Sequence, residues 1–196
     1  MPVYHLTGPA PYFTNCFVLI TEGGSGVVVD PAAPPEQIEE LLQKHGAKLT
    51  HILLTHGHFD HVYSLGALCG AQPCQVYMDP ADAGDTPLYP VGLPTLPYAE
   101  GGRIRVDELT FTAWHTPGHT PGSWLLGCED LLFCGDTLFA GSVGRTDLAG
   151  GDADAQRASL AKIRALPLTE ETRVLPGHGP FSPLGEEKDT NPYLAL

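Results

Sequence analysis

His56-Gly57-His58-Phe59-Asp60-His61 sets four potential metal ligands within six residues, just after an apolar run. Three imidazoles and a carboxylate packed this densely cannot be buried without partners, because each unpaired polar group costs free energy. A divalent cation supplies the partner, and a hexapeptide too short to present one regular helical face is expected to wrap the ion from a loop. Three further segments share one grammar, an apolar strand followed by a potential ligand among Gly and Pro. They are Trp114–Pro121 with His115 and His119, Phe133-Cys134-Gly135-Asp136-Thr137, and Pro176-Gly177-His178-Gly179-Pro180. Glycine lets backbone approach a buried ion closely, and proline fixes the turn beforehand. Each segment alone is a weak signal; with the hexapeptide they form a strong one.

The elements that must position these residues follow from periodicity. Strands are predicted at Val3–Leu6, Asn15–Ile20 and Val27–Val29, with Gly23-Gly24-Ser25-Gly26 as a hairpin loop. Pro34-Pro35-Glu36 opens a helix in which Ile38, Leu41, Leu42 and His45 share a face, and Gly46 ends it. His51–Leu54 is a short buried strand delivering the chain to the histidine loop, and Val62, Leu65 and Leu68 suggest a helix after it. Gln75–Met78 is a further strand, whereas residues 84–101, with four prolines and no period, read as a loop or lid. Strands Arg103–Val106 and Leu109–Trp114 precede a hairpin of Ser123–Leu126 and Leu131–Cys134. A helix over Asp154–Leu166 and a strand at Val174-Leu175 complete the order. That order implies two similar halves, each packing a sheet with helices on its outer side and carrying ligands at strand ends.

At 196 residues the chain fits a single domain, 1–196. Its formal net charge of −13 argues against nucleic acid and against an anionic membrane surface as partners. The N-terminus lacks the basic-then-apolar pattern of a signal peptide, and no apolar stretch approaches the ~18 residues a membrane span requires. Five cysteines, odd in number and without a C-x-x-C pair, read as reduced and mostly buried thiols of a cytoplasmic protein. Cys134 precedes Asp136 by two residues but is expected to pack in the core.

His56-x-His58-x-Asp60-His61, His119, Asp136 and His178 resemble, in order, the metal-binding motifs of the metallo-β-lactamase superfamily over essentially the whole chain. Gly118-His119-Thr120-Pro121-Gly122-Ser123, Gly135-Asp136-Thr137-Leu138-Phe139 and Gly144-Arg145 look most like its glyoxalase II (hydroxyacylglutathione hydrolase) branch, in the compact bacterial form. The resemblance implies an α+β fold, the four-layer αββα sandwich. It implies that His56, His58 and His119 hold one metal, that Asp60, His61 and His178 hold a second, and that Asp136 bridges them. Two divalent ions are expected, zinc first, with iron or manganese also suited to such donors. A hydroxide bridging two such ions would attack a carbonyl carbon, and Asp60 is counted as catalytic as well as ligating. A small-molecule thioester fits because the departing thiolate has a conjugate-acid pKa of only ~8.5. His5, His45, His51 and His115 are assigned ordinary structural roles.

Longer glyoxalase II enzymes grip glutathione with a C-terminal helical domain, which the 18 residues after His178 leave no room for. Arg145 aligns with a basic substrate-gripping position of the family, the alternative being an ion pair with Asp147 or Asp152. Tyr12 and Phe13 are candidates to wall the substrate site, core or lid packing being their other role. A rival reading is a persulfide dioxygenase with one iron on His56, His119 and Asp136; lactonase-type hydrolysis is another. Asp136 argues against lactamases proper, the acidic charge against RNA-processing nucleases, and the intact ligand set against a catalytically silent binding domain. The oligomeric state is left open.

Overall fold

Side chains alternate across a β-strand, so a strand buried on both faces must pack two different layers at once. The computed structural model describes residues 3–194. In it β1 (Val3–Thr7), β2 (Asn15–Ile20) and β3 (Ser25–Val29) form an antiparallel meander. Helix α1 (Pro35–Lys44) leads to β4 (Lys48–Leu53) and α2 (Leu65–Ala71) to β5 (Gln75–Tyr77), both added in parallel. The second half repeats the scheme. β6 (Arg103–Val106), β7 (Leu109–His115), β8 (Trp124–Cys128) and β9 (Leu131–Gly135) meander antiparallel. After a small hairpin, β10 (Leu138–Phe139) and β11 (Ser142–Val143), helix α3 (Ala153–Ala165) carries the chain to β12 (Arg173–Pro176), parallel to β9. β13 (Ser182–Pro183) edges the sheet, and α4 (Leu184–Thr190) follows.

Three apolar layers result. Cys16, Val18 and Ile20 of β2 meet Ile38 and Leu42 of α1 and Leu65 and Leu68 of α2. Phe17 and Leu19, on the other face of the same strand, meet Phe111 of β7, Leu126 of β8 and Phe133 of β9. Leu132 and Cys134 of β9 then turn outward onto Leu160 and Ile163 of α3 and Leu184 of α4. Helices, sheet, sheet and helices stack in that order, which is the expected αββα sandwich, and Cys134 has the core role assigned to it.

Local chemistry explains most element ends. Pro35 starts α1 without losing a hydrogen bond, and Gly46, at φ +64°, stops it. β4 begins three residues before the predicted start, because pairing with β3 extends through its half-buried polar residues. Leu166 caps α3 instead of lying within it. The elements β10, β11, β13 and α4 were not anticipated: the strands span two residues each, and α4 buries only Leu184 and Glu187. Residues 84–101 form no regular element but are tied to the histidine loop. Leu88 O accepts from Phe59 N at 3.1 Å, and the Tyr98 hydroxyl donates to Leu54 O at 3.0 Å. All five cysteines are unpaired, and among the described residues no helix is long and apolar enough to cross a membrane.

Phe133 is 1% exposed and packs against both Phe17 and Phe111 between the sheets. Phe133→Ala is expected to lower unfolding free energy by about 3–5 kcal/mol. Urea unfolding checks this, and a loss below ~1 kcal/mol would show that the layer between the sheets relaxes around the cavity.

Candidate metal centre

Four strands of the two sheets end at one edge of the sandwich, and each hands its following turn to the same place. β4 leads into His56–His61, β7 into the turn holding His119, β9 into Asp136, and β12 into His178. His56, His58, His61, His119 and Asp136 are all buried there, and Asp60 and His178 are half-buried.

The donor atoms divide into two trios, each with its atoms within 4.8 Å of one another: His56, His58 and His119, and Asp60, His61 and His178. In the first, His58 Nδ1 lies 3.1 Å from His56 Nε2 and 2.9 Å from His119 Nε2. In the second, Asp60 Oδ2 lies 3.8 Å from His61 Nε2 and 3.3 Å from His178 Nε2. Asp136 stands between them. Its Oδ2 is 3.4 Å from His119 Nε2 and 3.5 Å from His178 Nε2, and its Oδ1 is 3.3 Å from His61 Nε2.

The hydrogen bonds on the far side of each ring decide which nitrogen faces inward. His61 Nδ1 donates to Asp30 Oδ2 at 2.9 Å, His119 Nδ1 to the Arg145 carbonyl at 2.7 Å, and His178 Nδ1 to the Tyr12 carbonyl at 3.1 Å. His56 Nδ1 sits 3.1 Å from the Thr55 hydroxyl, which itself donates to Asp30 Oδ2 and therefore accepts from the ring. Four Nε2 atoms are thus turned inward, and those of His61 and His178 face the carboxylates of Asp136 and Asp60. His58 Nδ1 can offer one hydrogen among the three nitrogens of its trio, so lone pairs remain opposed. His58 Nε2, His61 Nε2 and Asp136 Oδ1 are buried with no hydrogen-bond partner. Such a set fits a cation and little else.

The proton affinities agree. Burial, then repulsion from the neighbouring imidazoles, pushes His56 well below the usual range and His58 to about 4, so these two rings stay neutral. Burial also opposes charge on Asp136, but His61 and His178 outweigh it and hold the carboxyl well below its usual value. Asp60 is likewise lowered to about 2, against its burial, by His178, His61 and Thr14. Burial of His61 is outweighed by Asp136 and Asp30, which lift it well up, and burial of His178 by Asp136 and Asp60, which lift it to about 9. The second trio draws positive charge to itself. A third grouping, Asp30 with His56 and His61, is different in kind. Asp30 oxygens already accept from Thr55 N, Thr55 Oγ1 and His61 Nδ1, so Asp30 orients ligands.

The other predicted residues lie as follows. His115 bonds the Pro121 carbonyl at 2.9 Å and packs on Trp124, outside the cluster. His5 pairs with Asn15, His45 with Tyr4, and His51 with Thr50. The Arg145 guanidinium is exposed and holds Asp147 through two bonds of 2.6 and 2.7 Å, while its backbone orients His119. Tyr12 lines an apolar cavity next to Asp60; Phe13, 59% exposed, lies outside that lining.

Sequence reasoning missed the residues that hold the ligand loops. Asp82 is 1% exposed, and its Oδ2 accepts from Gly57 N at 3.0 Å and from the Thr120 hydroxyl at 2.7 Å. Its Oδ1 accepts from Gly122 N at 2.8 Å, so one carboxylate fastens the His56–His58 loop to the His119 turn. Asn15 fastens the His178 turn, donating through Nδ2 to the carbonyls of Pro176 and Gly179. Asp30 also went unassigned, although it ends a strand in the same strand-then-ligand grammar and that signal could have found it; Asp82, within an Asp-Pro turn, carries no such mark. Asp82→Ala strands two buried N–H groups, which is expected to cost about 2–5 kcal/mol of stability and to lower retained metal after dialysis. Asp82→Asn keeps an acceptor oxygen and is expected to lose less. Wild-type metal content and unfolding midpoint in Asp82→Ala would refute the clamp.

The family model described as the metallo-beta-lactamase superfamily matches residues 9–178. A Haemophilus influenzae protein named hydroxyacylglutathione hydrolase GloC is 30% identical, over 92% of each chain. The crystal structure of BLEG-1 B3 metallo-beta-lactamase superposes with a TM-score of 0.87 at 32% identity over the whole of both chains. That of TTHA1623 in a di-iron-bound form gives 0.82 at 38% identity, over 97% of this chain and 100% of that one. ETHE1 from Myxococcus xanthus gives 0.85 at 29% identity, over 100% of this chain and 85% of that one. With its αββα sandwich and its histidine and aspartate clusters suited to a metal, the chain belongs to the metallo-β-lactamase superfamily of metallo-hydrolases.

Proposed function

We propose that this protein is a two-metal hydrolase of small-molecule thioesters, with hydroxyacylglutathione-type compounds such as S-lactoylglutathione as the first class to test. The observation that carries the reading is the division of inward-facing donors into two trios with Asp136 between them. His56, His58 and His119 hold one divalent ion; Asp60, His61 and His178 hold the other; Asp136 serves both. Zinc is the favoured metal, and the donors would also take iron or manganese. When bound, such a pair supplies Lewis acidity toward a carbonyl oxygen and an acidified water.

The chain's own residues do the rest. Asp60, ionised and held by the Thr14 hydroxyl at 2.7 Å, accepts a hydrogen from the attacking water and fixes its direction. Asp30 keeps His61 in one tautomer, and the Arg145 carbonyl does the same for His119. Gly177 lets the last turn lie against the centre, since a Cβ there would collide with Asp136 Oδ1 and with His61. A glycine at 144 is needed for the same reason, its Cβ position overlapping the Asp136 carbonyl. The Arg145 guanidinium takes a carboxylate of the thiol carrier, sharing it with Asp147, and Tyr12 and Phe13 flank the entrance. Hydrolysis joins water oxygen to the acyl carbon, breaks the carbon–sulfur bond and returns a proton to the thiolate. One domain suffices for this chemistry, and the unpaired thiols suit a cytoplasmic setting.

Purified protein is expected to carry two equivalents of divalent metal and to release thiol from S-lactoylglutathione, with the activity lost to a chelator and restored by metal. One equivalent of iron, with oxygen uptake on glutathione persulfide, would replace this reading by the dioxygenase.

His58→Ala is expected to reduce turnover at least about 100-fold with its circular dichroism unchanged. Wild-type activity in that variant would overturn the ligand assignment. Gly177→Ala is expected to lower metal content as well, through the collision with Asp136 and His61.

A further inference from the structure

A cavity of about 220 Å³ opens directly beside the second trio. Tyr12, Phe59 and Tyr63 wall it with Pro9 and Ala10, and Asp60 with Thr14 closes the end toward the candidate metal centre. The lining is almost wholly apolar. Tyr12 and Tyr63 are 50% and 57% exposed, an aromatic surface left outside the core at the edge of a reactive centre.

The cavity is built, not incidental. The rings of Tyr12 and Phe59 meet edge to face at 5.0 Å. The backbone of Tyr12 accepts from His178 Nδ1, and Phe59 is tied through its N–H to Leu88 O. Two of its walls therefore belong to the same segments that hold candidate ligands, so its position relative to the reacting carbonyl is fixed. Arg145 lies on the other flank, where its carbonyl holds His119. The apolar cavity thus adjoins the second trio, and the Arg145 backbone adjoins the first.

We infer that the apolar cavity is the acyl subsite, and that the preferred substrates are thioesters of apolar acyl groups, aryl or medium-chain. This deepens the thioester-hydrolase reading and rests on it. Size supports the assignment: an apolar cavity of about 150 Å³ accepts benzene, so this one takes an aryl group or a chain of about six to eight carbons. A lactoyl group leaves most of that space empty.

The test uses metal-loaded protein and straight-chain acyl thioesters of N-acetylcysteamine, from acetyl to decanoyl. kcat/KM is expected to rise by about fourfold per methylene, the transfer value of a buried CH₂, and to level off near eight carbons. Tyr63→Ala is expected to cut the hexanoyl-to-acetyl ratio at least tenfold, and Tyr63→Phe to preserve it. In parallel, ketones with a methylene in place of the sulfur are titrated calorimetrically, which reads the subsite without turnover. Affinity that climbs with chain length and falls in Tyr63→Ala supports it. Thioester turnover with flat dependence on chain length in both experiments overturns the acyl subsite and leaves the hydrolase standing. Chain-length-dependent ketone binding without turnover of any thioester sinks the hydrolase reading and keeps the apolar subsite.

Discussion

Opposed lone pairs in a buried site are the constraint on which this molecule turns. Imidazole nitrogens with their hydrogens committed elsewhere repel one another at 3 Å, and two ionised carboxylates beside them call for positive charge. A cation resolves both problems together, whereas water could satisfy only part of the set. Everything that brings these groups together must therefore be stable enough to hold them before the cation arrives, and rigid enough to keep the rings from turning away.

The sandwich meets that demand by dividing labour. Fully buried strands supply rigidity through three apolar layers, and only the turns beyond their ends carry polar chemistry. Ligands come from both sheets, separated by up to 122 positions between His56 and His178, so no local segment contains the site. Buried side chains bridge the gaps. Asp82 joins two loops, Asn15 joins the start of β2 to the last turn, and Asp30 joins β3 to the histidine loop. Asp30 even adopts φ +49°, a conformation an aspartate tolerates better than a branched residue, to reach its donors.

Residue types and spacing made the ligand set legible because metal binding needs particular atoms, and few side chains offer them. The strands were legible for a related reason: burial on both faces leaves continuous apolar runs such as Cys16–Ile20. What escaped notice was whatever works through contact alone. Asp82 looks like any acidic turn residue until its three donors are in place. Helix α4 shows no period because its buried face consists of one leucine and a glutamate bonded to Gly141 N. The pairing of Arg145 with Asp147 was one of two alternatives open in the sequence, and only the closed turn between them decides it.

The aromatic residues around the apolar cavity belong to none of the three core layers, and Tyr12 and Tyr63 stand half in solvent. Their replacement removes little packing, so it should weigh on stability far less than a change at Phe133. Selection can therefore alter what enters the centre without disturbing what builds it. A scaffold arranged this way separates heritable specificity from heritable foldability, and relatives can diverge in substrate while their ligand turns stay in register.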